Sequence, residues 1–405
     1  MRASGLNKIV VIPDSFKGTL SAAAFCRAAV EVVAERFPGC TVVSVPVADG
    51  GEGTVQAFLS ALGGELVTLT VRGPFGEDMT GFYGRLPGGV AVVEMAACAG
   101  LPLVGRRGNP ALTTTYGVGQ LLLHAARRGA RTLIVGLGGS ATNDAGCGAA
   151  AACGVRFFRA DGSAFVPTGG TLTQVARIDA TRLDPLLRQV DLTVMCDIRN
   201  PLYGPDGAAC VFAPQKGADA AMVERLDAGL RHIAARIAAD LGREIDRLPG
   251  GGAAGGMGAG MAAFFGGRLR PGIEILLDTV RIRELLEGAD LVITGEGRLD
   301  SQSFSGKAVQ GVAHAARAAG VPLLALVGGY ESDLSAAYEA GVSAVFSVNR
   351  LPLELAKSAP MTEENLRLTL DNLLRLLTAL PSGCGPPQGD PRTGTPPTEN
   401  TEKQR

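Results

Sequence analysis

Histidine is scarce in this 405-residue sequence: only His124, His232 and His314 occur, each inside an Ala- and Arg-rich helical pattern. That scarcity argues against a zinc site and against a histidine-based catalytic triad. The eight cysteines show no CxxC or CxxH spacing, and the chain is far larger than a disulfide scaffold. They are expected to be mostly buried thiols in a reducing cytoplasm. Neither sign of charge dominates, with 38 Lys and Arg against 39 Asp and Glu and a net charge of −1. Interspersed charges of that balance make neither a nucleic-acid groove nor a face for an anionic membrane, so small molecules are the expected partners. No run is long and apolar enough to span a bilayer, because stretches such as GGGAAGGMGAGMAAFFGG are broken by glycine. The opening MRASGLNK leads into the first strand without the apolar segment of a secretory signal. A Walker phosphate loop is missing too: Gly306 and Lys307 are followed by Ala308 and lack the earlier glycine.

What is present is ample apolar content, 46%, enough for two or three domains with sizeable cores. In IVVIPDSFKGTLSA an apolar run of strand type passes into a helical pattern, and Asp14, Ser15 and Lys17 fall on the turn between them. Such a trio can hold a small anion, or it can be an Asp or Ser N-cap beside a solvated lysine. The chain reads strand 8–13, helix 19–36 and strand 41–47, then changes rhythm. Residues 65–100 alternate short strands with turns, as hairpins do, and from about residue 289 the strand–helix alternation resumes in ADLVITGEG, VPLLALVGG and VSAVFSV. The expected fold is therefore α/β with two domains. A flavodoxin-like, five-stranded parallel sheet of order 2-1-3-4-5, built from 1–59 and 286–380, is interrupted by a larger mixed α/β domain, 60–285. A Pro-, Gly- and polar-rich tail, 381–405, is expected to be disordered.

That strand order makes strands one and three neighbours at the topological switch point, where ligand crevices form. Asp14, Ser15 and Lys17 would then face Gly295, Glu296, Gly297, Arg298 and Asp300 of TGEGRLD, with Asp49 of ADGGEGT beside them. The insertion adds polar turns of its own. GLGGSATNDAG places Gly138, Gly139 and Ser140 after a strand and Asn143 and Asp144 at a helix start, a setting for phosphate. CDIRNPLYGP supplies Asp197, and FAPQKGA supplies Lys216, which reads as a solvated turn residue unless the domains close over it. The threonines of NPALTTTYGVG precede a helix, where a cap and an anion site look alike, and DGGEGT reads as a tight turn more readily than as a metal site. The glycine run 250–260 can be a hinge, a close-packing segment or a phosphate loop. GLGGSA also meets the loose GxGxxG/A pattern through Gly136, Gly138 and Ala141, with Asp161 placed as a ribose-binding acid. An NAD(P)-dependent oxidoreductase, or a non-catalytic nucleotide- or small-acid-binding protein, is thus an alternative reading.

Taken together, IPDSFKGTLSA, VPVADGGEGT, NPALTTTYGVG, GLGGSATNDAG, CDIRNPLYGP, FAPQKGA, GAAGGMGAG, RPGIEILLD and TGEGRLDSQSFSGKA resemble, in order from about residue 8 to about 378, the bacterial glycerate kinases of glyoxylate and galactarate catabolism. The resemblance implies two α/β domains and Mg²⁺-dependent transfer of the ATP γ-phosphate to D-glycerate, giving 2-phosphoglycerate in relatives of this class, although 3-kinase labels also occur. For that reaction Lys17 and Arg298 are candidates for the glycerate carboxylate, and Asp14, Ser15, Asp49 and Glu296 for the substrate hydroxyls. Gly138, Gly139, Ser140 and Lys216 are candidates for the triphosphate. Asp197 or Asp144 would hold Mg²⁺ or accept the hydroxyl proton.

Overall fold

The computed structural model describes residues 6–48, 50–300, 308–351 and 353–379. Asp49, the SQSFSGK segment and the tail 381–405 lie outside the described residues.

The run KIVVIP forms the strand Lys8–Pro13, and its five apolar and proline positions are all buried. Both faces are covered. Ile9 and Val11 pack toward the helices Ala22–Arg36 and Thr362–Ala379, while Val10 and Ile12 face the opposite way. This period-two division is what a central parallel strand requires. The strand sits in a five-stranded sheet with spatial order Ala344–Ser347, Leu323–Val327, Leu291–Glu296, Lys8–Pro13, Thr41–Ser44, all parallel. In chain order that is 2-1-3-4-5, the flavodoxin-like arrangement expected from the sequence.

A second sheet has the order Arg268–Arg270, Asp191–Met195, Thr132–Gly136, Val90–Glu94, Asp78–Leu86, Glu65–Arg72. Its first four strands are parallel, and the last two close an antiparallel hairpin within the stretch read as hairpins. A small three-stranded sheet, Ala164–Phe165, Arg156–Phe158 and Arg177–Asp179, lies beyond it. Register is level across the parallel strands: Pro13 lies opposite Gly295, and Glu94, Gly136, Met195 and Arg270 align in one row. The polar turns after these strands therefore emerge side by side.

One apolar core joins the two sheets. Val10, Ile12 and Val292 of the first pack in one cluster with Val92, Ile134 and Met195 of the second, together with Phe58 and Ile273. Phe58 comes from the helix Thr54–Leu62 and Ile273 from the helix Gly272–Thr279, so these two helices bridge the sheets.

Candidate active site

A cavity of about 950 Å³ lies where the carboxyl ends of both sheets meet. It is at the upper end of the roughly 300–1,000 Å³ range of ligand clefts. From the first sheet come Asp14, Ser15, Lys17, Glu296 and Arg298, and from the second Gly138, Gly139, Ser140, Asp197 and Lys216. Residues 14–17 and 296–298 are brought together although nearly 280 positions separate them in sequence.

The loop after the first strand is not a helix cap. The helix Ala22–Arg36 is capped by Ser21, whose Oγ accepts the Ala24 N–H at 3.2 Å. Asp14, Ser15 and Lys17 are left on a separate turn, closed by the Phe16 N–H to Leu20 carbonyl bond of 2.8 Å. Asp14 donates its own N–H to the Gly295 carbonyl at 2.7 Å, which ties its backbone across the switch point, and its carboxylate accepts the Ser15 N–H at 2.6 Å. Lys17 is exposed at the tip of the turn and makes no ion pair among the described residues. Arg298 is likewise exposed on the cavity wall, whereas Asp300 is not part of the lining.

On the second sheet, Asp197 follows the strand Asp191–Met195 and is exposed to the cavity. Its Oδ1 accepts the Gly272 N–H at 2.8 Å, which ties it to the start of the helix Gly272–Thr279. The GGS turn lies beside it. Gly138 donates to the Gly50 carbonyl at 2.8 Å, while the Gly139 N–H meets no acceptor among the described residues.

Lys216 departs from the solvated-turn reading. It is only 3% exposed, and its ammonium group donates to Ser140 Oγ at 2.8 Å and to the Thr142 carbonyl at 2.7 Å. Burial pulls its pKa down to about 7, against a smaller opposing pull from the Asp144 charge. A charge taken from water and given only neutral partners is costly, and the amine responds by releasing its proton more easily.

Asp144, a candidate for metal and for catalysis, is fully buried and is not among the cavity-lining residues. Its carboxylate accepts the Thr115 N–H at 2.8 Å, Thr115 Oγ1 at 2.9 Å, Gly146 N–H at 3.1 Å and Gly148 N–H at 3.2 Å. Burial raises its pKa, and these four donors counter that rise. It is a loop anchor, and the helix it precedes starts only at Cys147. The TTT stretch serves the same end, since Thr113 Oγ1 also donates to the Ala141 carbonyl at 2.8 Å.

The glycine motifs are explained by close approach. Gly50 of DGGEGT has φ +84°, and a Cβ on Gly136 or Gly138 would lie 2.4 Å from the Gly50 carbonyl oxygen or 2.5 Å from Gly51 Cα. The two glycine turns are pressed together as a seam between the sheets. In the 250–260 run, a Cβ on Gly255 would fall 2.0 Å from the Thr142 carbonyl oxygen, so that run is a close-packing segment against the phosphate-type turn. Asp161 lies in the short hairpin of the small sheet, exposed and bonded to Ser163, so no ribose acid accompanies GLGGSA.

Sequence reasoning missed Glu94, Tyr330 and Asn349. Glu94 is 2% exposed and accepts the Val55 N–H at 2.9 Å and the Gly53 N–H at 3.4 Å, capping the helix Thr54–Leu62 from the neighbouring sheet. Burial raises its pKa, with those N–H groups opposing. Tyr330 and Asn349 line the cavity. All three lie at or just beyond the ends of apolar runs, so the strand-end rule that found Asp14 would have found them.

The fold and the cavity define an α/β ligand-binding protein whose polar crevice, at a topological switch point, offers cations on both walls and carboxylates between them. The sequence matches the glycerate kinase family over residues 9–378. It is 43% identical to a glycerate kinase of Bacillus cereus, over 90% of this chain and 97% of that one. It is 42% identical to the glycerate 2-kinase of Escherichia coli, over 91% and 95%. A Salmonella typhimurium crystal structure, provisionally described as glycerate kinase 2, superposes with a TM-score of 0.82 at 42% identity, covering 93% of this chain and 99% of that one. The chain belongs to the glycerate kinase family.

Proposed function

We propose that this chain transfers the γ-phosphoryl group of ATP to a hydroxyl of D-glycerate in the cavity between the two sheets. The observation that carries this reading is the split of cations between the walls: exposed Lys17 and Arg298 on the first sheet, buried Lys216 beside the GGS turn on the second. Two different anions are needed in such a reaction, a small carboxylate and a triphosphate. Exposed cations suit a small acid that enters from water, and a fixed loop with an open N–H group suits phosphate.

Lys17 and Arg298 hold the glycerate carboxylate, with Asp14, Ser15 and Glu296 around the hydroxyls. Gly138, Gly139, Ser140 and Lys216 hold the phosphates. Asp197, exposed in the same cavity, either takes the proton from the attacking hydroxyl or holds Mg²⁺. The donor set fits a metal of that kind: Asp197 presents an exposed carboxylate in the cavity, and Mg²⁺ needs only one or two carboxylates beside the substrate phosphates. When bound, Mg²⁺ neutralises charge on the transferring phosphoryl group. The E. coli relative's name supports the 2-hydroxyl as acceptor. No helix of the described residues is long and apolar enough to cross a membrane, and the cysteines described are free thiols, which supports a cytoplasmic setting.

The test is ADP release with MgATP and D-glycerate, with enolase added in the absence of phosphoglycerate mutase. Glycerate-dependent ADP together with phosphoenolpyruvate is expected. ADP without phosphoenolpyruvate moves the transfer to the 3-hydroxyl, and no glycerate-dependent ADP from folded protein overturns the reading.

A further inference from the structure

We infer that the corner of the cavity formed by Gly139, Ser140 and Lys216 is a phosphoryl-group subsite whose occupation draws one proton from solvent onto Lys216. The inference deepens the proposed kinase function by fixing which wall takes the phosphates, and it rests on that reading for the identity of the nucleotide. Its basis is the contrast among cavity cations. Lys17 and Arg298 are exposed, whereas Lys216 is buried with two neutral oxygens as hydrogen-bond acceptors.

Few charges surround it. Asp144 faces it from the loop that Lys216 clamps, makes no ion pair with it at contact distance, and is already shared among four protein donors. Arg106 and Arg107 lie on the turn whose Gly108 packs against the Lys216 carbonyl; both are exposed, and Arg107 covers the Phe75 ring at 5.0 Å. The helix Ala208–Phe212 beside it carries no charged residue. Just beyond Ser140 in the chain, Thr142 Oγ1 and both amide atoms of Asn143 are buried without a partner, although neither residue lines the cavity.

An amine so placed is held close to neutral pH by burial. A phosphoryl group against Ser140 and the open Gly139 N–H supplies the missing negative charge, which favours the ammonium form. Linkage then requires proton uptake on binding above neutral pH and little below it. A carboxylate bound at Lys17 and Arg298, on the other wall, produces no such uptake.

The experiment is titration calorimetry of the full chain in buffers of different ionisation enthalpy, at pH 6 and pH 8. The probes are inorganic tripolyphosphate, a non-hydrolysable ATP analogue and D-glycerate, each alone. Taken as the difference from Lys216→Arg, so that ionisation of the polyphosphates themselves cancels, the uptake at pH 8 is expected to approach one proton for both polyphosphates, with near zero for glycerate, and to fall toward zero at pH 6. Lys216→Arg keeps a permanent charge and is expected to bind tripolyphosphate without uptake. Lys216→Met is expected to lose both the uptake and at least tenfold in affinity. Uptake with glycerate but not with the polyphosphates overturns the assignment, as does equal uptake in wild type and Lys216→Arg. Uptake with polyphosphate in a protein that shows no glycerate-dependent ADP release supports the subsite and removes only the glycerate reading.

Discussion

Gly136→Ala isolates the seam between the two glycine turns. Gly136 ends a β-strand and its φ is not in the left-handed region, so conformation alone would make alanine neutral or stabilising by about 0.4–1 kcal/mol. Packing reverses the sign. The new Cβ would meet the Gly50 carbonyl oxygen at 2.4 Å and the Gly50 carbonyl carbon at 2.9 Å, and both are backbone atoms that no rotamer change can move aside. Relief requires the turns to part by roughly 1 Å, which costs about 1–3 kcal/mol as overpacking. It also strains the 2.8 Å bond from the Gly138 N–H to the Gly50 carbonyl, worth about 1 kcal/mol. A net loss of about 2–3 kcal/mol is expected. The assay is the urea midpoint compared with Gly39→Ala, where nothing lies within 4 Å of the added Cβ. Because the displaced turn carries Gly138 and Ser140, KM for MgATP should rise in the same variant. A Gly136→Ala protein as stable as Gly39→Ala, within about 0.5 kcal/mol, would show that the seam yields freely and refute the argument.

Lys17→Ala and Asp197→Asn are each expected to lower glycerate-dependent turnover about 100-fold with little change in urea midpoint, because both side chains are exposed in the cavity. Near-normal turnover in either purified variant removes that residue from the site. Asp144→Asn turns an amide NH₂ toward donors that need an acceptor, and a loss of about 2–4 kcal/mol in unfolding free energy is expected; a loss under 1 kcal/mol would deny it the anchoring role. Lys216 titrates near 7 in the folded protein without ligand and at 10.5 as an ordinary lysine. Between these values the unfolded chain binds more protons, so wild-type stability measured against Lys216→Met should rise with pH by up to about 1.4 kcal/mol per unit and flatten below pH 7. A flat difference across that range would mean that the amine keeps its ordinary value.

The first sheet was legible because its strands are apolar runs on both faces and its turns carry few competing signals. Val10 and Ile12 need neighbours as much as Ile9 and Val11 do, and only a covered parallel sheet supplies both. The polar trio at Asp14 was legible by the same logic, since a polar cluster at the carboxyl end of such a strand meets others from strands beside it. Glycine was not legible in the same way. DGGEGT, GLGGSA and the 250–260 run all look like phosphate loops in sequence, because a glycine that approaches a ligand and one that approaches another backbone leave the same letter. Only the atoms that a Cβ would strike tell them apart. For Gly50, Gly136 and Gly255 those atoms belong to the protein, whereas at Gly139 the nearest is the Ala96 Cβ at 3.6 Å.

Charge was legible as to type and not as to burial. Asp144 and Lys216 each occupy a turn with glycine beside it, and nothing in the letters NDAG or QKGA says which will be sealed from water. The structure seals both, and with opposite results. Asp144 receives four donors and becomes a fixed part of the loop, whereas Lys216 receives only two neutral acceptors. The unmet charge of Lys216 makes it responsive to an anion. Phosphoryl transfer needs strong electrostatics in a site that excludes water, yet a permanently buried charge would destabilise the protein whenever the site is unoccupied. An amine that releases its proton more easily when the cavity is empty and holds it when phosphate arrives eases that conflict. The glycine seam complements it by fixing the loop on which that phosphate rests.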